Sequence, residues 1–259
     1  GIAVNEAFGP NYLGRARARL ALDPEADVSQ DFADARAFDP AFGDIYLAEA
    51  AYLIQRGDPE AALEDLTIAE SLLPDSAQIP LLRAQAYLLL ERYPEARDAA
   101  TRALALDLTQ VPAYLALGQA LLGLGESTEA IRQLETYILY APADLDSRIT
   151  LAMAYQQAGS YENALTLFDE ILRANPKFPD VYYFRGIAYL GMGEAQKALD
   201  DLNQANRLHR NSFEINLALG QALFALEFKG DAYIQYNQTF PLAQAREAYL
   251  WAVGCDATG

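Results

Sequence analysis

The sequence predicts an all-α solenoid built from helix-turn-helix units of equal length. Three observations carry this. Seven stretches superimpose at a fixed spacing of 34 residues, with no insertion or deletion from Gly9 to Arg246. The eighth position of each is small: Ala16, Ala50, Ala84, Gly118, Ala152, Gly186 and Gly220. The twentieth is Val28, Ala62, Ala96, Ala130, Ala164, Ala198 and Ala232. Periodicity of this length is the mark of stacked repeats, each contacting only its neighbours.

The units run 9–42, 43–76, 77–110, 111–144, 145–178, 179–212 and 213–246. The fourth shows the plan. Tyr114, Leu117, Gly118, Leu121 and Leu122 recur at helical spacing and define a helix A. Gly123-Leu124-Gly125 interrupts it, and Glu126-Ser127-Thr128-Glu129 has the side chains of a helix start. Ala130, Ile131, Leu134, Tyr137 and Ile138 form the stripe of a helix B, which Pro142 ends. The turn position is Gly57, Gly125, Gly159 and Gly193 in four units, and Asp23, Glu91 and Glu227 in the others. The first unit carries Arg15, Arg17 and Arg19 along helix A, which suggests a partly solvated end. In the seventh, Pro241 falls inside helix B and should end it early. A last helix, about 243–254, is an A helix without its B partner. Its stretch Tyr249-Leu250-Trp251-Ala252-Val253 is mostly apolar.

The small positions have a mechanical reason. Ala or Gly at positions eight and twenty lets helices A and B approach until their backbones nearly touch. Larger residues fill the space beside them, such as Leu121 or Tyr155 at position eleven and Phe168 or Tyr236 at position twenty-four. Leu in place of Ala130 or Ala164 should therefore cost more than Leu in place of Ala113, near a helix start. Fixing each backbone costs roughly 1–2 kcal/mol, so one pair is unstable alone and several must stack.

Small, Ala, aromatic, Ala and Pro at positions eight, twenty, twenty-four, twenty-seven and thirty-two resemble the tetratricopeptide repeat. The last two positions read Ala35/Pro40, Ala69/Pro74, Ala103/Leu108, Tyr137/Pro142, Ile171/Pro176, Ala205/Arg210 and Thr239/Gln244. The resemblance covers most of the chain and implies one right-handed superhelical solenoid over 1–259. It implies a non-catalytic scaffold that binds protein segments.

Composition narrows the partners. The net charge of −17 argues against nucleic acid, whose binding requires Lys and Arg to neutralise phosphates, and against anionic membrane surfaces. Solubility explains the charge, and long-range attraction of a basic partner is the functional reading beside it. No apolar run has the length of a membrane span. The start, Gly-Ile-Ala-Val-Asn-Glu, has no initiator Met, basic segment or apolar run, so the chain reads as a piece of a longer protein. Cys255 is the only cysteine, which excludes an internal disulfide framework and leaves cytoplasmic and extracytoplasmic settings open.

Motifs for chemistry are weak. One histidine, His209, and one cysteine make no His- or Cys-rich metal site and no nucleophile–base set, so no cofactor and no enzyme is expected. His209 sits at the tail of a B helix, where a capping role is expected. Gly123-Leu124-Gly125 and Gly191-Met192-Gly193 follow helices and lack the Lys-Ser/Thr ending of phosphate loops, so they read as turns. Arg56-Gly57-Asp58 is an inter-helix turn before it is an adhesion tripeptide, and Asn237-Gln238-Thr239 is a sequon placed on a helix.

The resemblance implies that ligands meet the A helices at positions two, five, nine, twelve and thirteen. Position five reads Leu13, Leu47, Leu81, Leu115, Ile149, Tyr183 and Leu217, with Trp251 following in frame. Position nine reads Arg17, Ala51, Gln85, Gln119, Met153, Ile187 and Gln221. Position twelve reads Leu20, Ile54, Leu88, Leu122, Gln156, Leu190 and Phe224. Position two reads Pro10, Asp44, Gln78, Pro112, Asp146, Asp180 and Glu214. The expected groove is apolar, with glutamines able to bond a peptide backbone and an acidic edge. It lacks the Lys, Arg and Asn clamp of the family's chaperone-tail binders. The competing reading is that positions five and twelve pack sideways between neighbouring A helices. The alternative function is assembly, by docking or by pairing two copies through the open C-terminal helix.

Overall fold

A computed structural model of the chain describes residues 8–210 and 212–226. Thirteen α-helices and no strand lie among them. They fall into two compact units that divide after Tyr140. The first holds α1 (Gly9–Leu22), α2 (Ser29–Phe38), α3 (Gly43–Arg56), α4 (Pro59–Leu72), α5 (Gln78–Leu89), α6 (Tyr93–Leu106), α7 (Val111–Gly123) and α8 (Ser127–Tyr140). The second holds α9 (Leu145–Gln157), α10 (Tyr161–Ala174), α11 (Pro179–Gly191), α12 (Ala195–Leu208) and α13 (Phe213–Ala225). The B helix of the seventh repeat, the helix expected at 243–254, Trp251 and Cys255 lie outside the described residues. No described helix is long and apolar enough to cross a membrane.

The A and B helices alternate in the expected frame. Within each unit every helix packs on the next, and odd-numbered helices also touch one another. The small positions are shut off from solvent: Ala16, Ala50, Ala84 and Ala152 at position eight, and Ala62, Ala96, Ala130, Ala164 and Ala198 at position twenty. The approach is as close as the residues permit. A Cβ on Gly118 would stand 2.6 Å from the Leu134 side chain, and one on Gly186 would stand 2.8 Å from Leu202. Beside the contact the residue at position twenty-four is buried, large in five repeats (Phe32, Leu66, Leu134, Phe168 and Leu202) and Ala100 in the third. The core is accordingly a series of small clusters, each shared by successive helices.

The inter-helix turn is one motif used five times. Gly57, Gly125, Gly159 and Gly193 have φ of 75–79°, and Glu91 adopts the same left-handed form at 55°. In each case the following amide reaches back to the helix, as Asp58 N–H does to the Leu53 carbonyl at 2.9 Å. The two glycines of Gly123-Leu124-Gly125 have separate tasks. Gly125 supplies the positive φ, while a Cβ on Gly123 would lie 2.5 Å from the Tyr93 ring. Gly191 and Tyr161 repeat that contact in the second unit. The Arg56-Gly57-Asp58 tripeptide is equally structural, since Asp58 caps α4 by accepting from the Ala61 amide and Arg56 pairs with Glu25 at 2.9 Å.

The first repeat departs from the frame. Asp23 holds the turn position but is extended, with φ −143°. Pro24 follows it, and a residue before proline is steered away from helical backbone toward extended forms. Helix α2 therefore starts late, at Ser29, and is 10 residues long where α4 has 14. The arginine row of α1 also divides. Arg15 and Arg19 turn inward to pair with Asp31, which is 1% exposed, and Arg15 reaches Asp34 at 3.2 Å. Only Arg17 of the three has no carboxylate partner among the described residues.

A further device was not foreseen. The tyrosine at position four donates to the carbonyl six residues earlier, at the end of the preceding repeat: Tyr46 to Pro40 at 3.0 Å, Tyr114 to Leu108 and Tyr182 to Pro176 at 3.2 Å. Each bond ties one link to the next A helix.

Positions seven and twenty-three face each other between helices A and B. They hold Arg15 with Asp31, and Arg185 with Asp201 at 2.6 Å. In the second repeat both are acids, Glu49 and Asp65, and Arg36 of the preceding repeat joins them, on Glu49 and 4.0 Å from Asp65. Burial pushes the Glu49 carboxyl up from 4.5 to about 7, with the Asp65 charge adding and Arg36 opposing. Burial pushes Asp65 up from 3.8 to about 6, against the pull of Arg36. The folded state thus holds more protons than the unfolded chain between pH 4 and 7, so stability falls as pH rises through that window.

Two outcomes are expected. Ala130→Leu or Ala164→Leu loses ~1–3 kcal/mol or more in denaturant titrations, because no space exists for the added atoms. Ala113 is fully buried, so it is no neutral control as its place near a helix start had suggested; the exposed Ala51→Leu is, and should stay within about 0.5 kcal/mol of wild type. The second concerns the acid pair. Glu49→Gln should be more stable than wild type by about 1–2 kcal/mol at pH 8 and equal to it at pH 5. A variant less stable than wild type at pH 8 would refute the assignment.

Candidate functional site

Helices α1, α3, α5 and α7 lie side by side in the first unit, with α5 touching both α3 and α7. Their positions three and eight turn inward to the B helices and the core. What remains for a ligand is decided by positions five, nine, twelve and thirteen. Position five is largely spent on packing, since Leu13 is buried and Leu47 and Leu81 are each 8% exposed. Position nine is open: Ala51 is exposed and Gln85 and Gln119 are half-buried. Leu20, Ile54, Leu88 and Leu122 at position twelve are half-buried.

Three A helices and the link to the fourth enclose a cavity of about 560 Å³. Leu20, Leu47, Ala51, Leu81 and Leu82 give it apolar walls. Arg17, Gln55, Gln78, Gln85 and Gln110 give it polar groups, and no carboxylate lines it. The volume falls within the range of ligand pockets, which combine apolar walls with a few placed polar groups. An amide side chain both donates and accepts, so this set can satisfy either group of a peptide backbone.

Of the residues singled out from sequence, the cavity joins Leu47, Leu81 and Gln85. Leu115 and Gln119 lie on α7, half-buried, outside its lining. The second unit places Ile149 and Met153 on α9, Tyr183 and Ile187 on α11, and Leu217 and Gln221 on α13. There Ile149 and Met153 belong to the cluster around Phe168, and Tyr183 and Ile187 pack on the one around Leu202 and Leu219. Burial, with the Glu214 charge second, raises the Tyr183 hydroxyl above its usual value of 10.0, so that ring is partly core. Gln55 at position thirteen and Gln110 at position thirty-four were missed. Gln55 was legible one helical turn beyond Ala51, whereas Gln110 sits in a link whose path periodicity does not describe.

Comparisons with known proteins agree with this architecture. The model of the tetratricopeptide repeat matches residues 47–110, 115–179 and 149–213. Superkiller protein 3 of Saccharomyces cerevisiae is 26% identical over 106 residues, 40% of this chain and 7% of that protein. Cellulose synthase operon protein C of Xanthomonas axonopodis pv. citri is 30% identical over 167 residues, 63% of this chain and 10% of that one. The chain thus spans a tenth or less of the curated relatives it matches. Among solved structures, a tetratricopeptide repeat protein from Parabacteroides merdae superimposes with a TM-score of 0.68 at 15% identity, covering 95% of this chain and 98% of that one. YrrB, described as having an unusual peptide-binding site, superimposes with a TM-score of 0.61 at 23% identity, covering 76% and 97%.

Burial separates framework from surface within the cavity. Leu81→Glu should cost more than about 3 kcal/mol by burying an unpaired charge. Gln85→Glu should stay within about 0.5 kcal/mol of wild type. Thermal melts followed by circular dichroism measure both, and equal losses would show that position nine is also core.

Proposed function

This chain belongs to the tetratricopeptide repeat family, whose members are generally non-catalytic protein–protein interaction scaffolds, and from that premise we propose that it captures an extended segment of a partner protein along the open faces of its A helices. The observation that carries the reading is the cavity between α1, α3 and α5, where apolar walls and four glutamines converge. Its walls take the side chains of the bound segment while the glutamines bond its backbone, which otherwise would lose its hydrogen bonds to water. The peptide-binding site described for YrrB supports the same use of a similar fold. In the first unit Leu115 and Gln119 would extend the surface along α7; in the second, Ile149, Met153, Tyr183, Ile187, Leu217 and Gln221 would offer an A-helix face of their own, and Trp251 lies outside the described residues.

The test is selection of peptides from a displayed random library on the purified chain, followed by titration against wild type and Ala51→Trp. Ala51 is exposed and lines the cavity, so the indole fills it without touching the core. Selected peptides should lose at least about tenfold in affinity for the variant, equivalent to about 1.4 kcal/mol, with no change in melting temperature. Unchanged affinity would place binding elsewhere and refute the groove.

A further inference from the structure

The first unit contains ten arginines among its described residues and no lysine. Nine of them are ion-paired to an Asp or Glu side chain. The exception is Arg17, which is exposed and finds no carboxylate among the described residues although the chain carries 36 acids against 19 basic residues. Among the described residues Arg17 is thus the one cation of the first unit left without a carboxylate partner. Arg17 is also the one charged residue that lines the cavity.

Resting on the groove reading above, we infer that the cavity recognises an acidic side chain within the bound segment. The Arg17 guanidinium takes the carboxylate at the α1 side. Leu47, Leu81 and Leu82 take a neighbouring apolar side chain, and Gln85 bonds the backbone between them. A planar guanidinium meets both carboxylate oxygens at once, which gives direction as well as attraction. Arg17 is exposed, so water leaves the pair only as the segment docks against the apolar walls and covers it. The surrounding negative charge of the chain does the opposite at long range, repelling acidic proteins. The site therefore accepts an acid only where the segment fits closely enough to bring it to Arg17. This selects an isolated acidic residue set among apolar ones, and rejects acidic runs.

The library selection decides this when it is followed by titration of synthetic peptides with blocked ends, so that no terminal carboxylate is present. Selected sequences should share one Asp or Glu beside an apolar residue. Their affinity should drop about tenfold or more on Arg17→Gln. A peptide with that acid changed to Lys should bind Arg17→Glu better than wild type. Arg17 has no ion pair or side-chain hydrogen bond among the described residues, so melting temperature should not move. Two results would overturn the inference while the groove reading stands: affinity unmoved by Arg17→Gln but lost on Ala51→Trp, or selected peptides that are basic or carry no acid. A requirement for a free C-terminus would overturn it too, by assigning Arg17 to chain ends. Binding that neither variant disturbs removes both readings together.

Discussion

Everything else in this chain depends on how closely helix A approaches helix B. The contact is made at positions eight and twenty, where nothing larger than valine occurs. With Gly118 and Leu134 so placed that a single added carbon would stand 2.6 Å away, the two helices are held at the limit of their own backbones. That limit sets the tilt between them, and the buried residue at position twenty-four fills the wedge that the tilt opens. The next repeat then meets a surface of fixed shape, in keeping with a spacing of 34 residues that carries no insertion. It also determines what is left over. Position eight of the A helices is consumed by packing and position five largely so, which narrows the open surface mainly to positions nine and thirteen and the edges of two, five and twelve.

The slot between positions seven and twenty-three shows how little the fold needs ion pairs. It holds Arg15 with Asp31 in one repeat and Arg185 with Asp201 in another, yet Leu117 with Gln133 and Leu151 with Leu167 occupy it elsewhere. Helices close in all of these repeats. Since a buried pair gains from attraction about what it loses in leaving water, apolar and ionic fillings are near equivalents. The second repeat is the unbalanced case. Two acids share Arg36, and their burial, to which the Asp65 charge adds at Glu49, raises the carboxyls to about 7 and about 6. A repeat array tolerates such a local defect because its energetic consequences reach only the neighbouring repeats.

The fold was legible because its rule is repeated. Position eight is small seven times, and no single-site accident survives that register. What the pattern conceals is where one residue overrides it. Pro24 is invisible to a frame that counts small positions, yet it removes the left-handed turn at Asp23 and shortens α2 by a full turn. The site was legible in part. Leu47, Leu81 and Gln85 meet in one cavity as their positions imply, but a periodic frame cannot tell a leucine that lines a groove from one that holds two A helices together. Leu47 and Leu81 do both, offering a small remainder of surface after packing. Gln55 stood in frame at position thirteen, whereas Gln110 depends on the path of a link and so needed coordinates.

Charge illustrates the difference between reading a whole chain and reading a site. A net charge of −17 favours the approach of basic partners, most strongly at low ionic strength. At physiological salt, exposed charges more than about 8 Å away are largely screened. Within that radius a ligand responds to the groups it touches. In the cavity those are leucines, glutamine amides and the one guanidinium, while the other nine arginines of the first unit are each held by an acid, as Arg15 and Arg19 are by Asp31 and Arg56 is by Glu25. The pairing of nine arginines is thus what makes the tenth selective. Each neutralised pair is silent at short range, and the cation left over is the one that faces the open space.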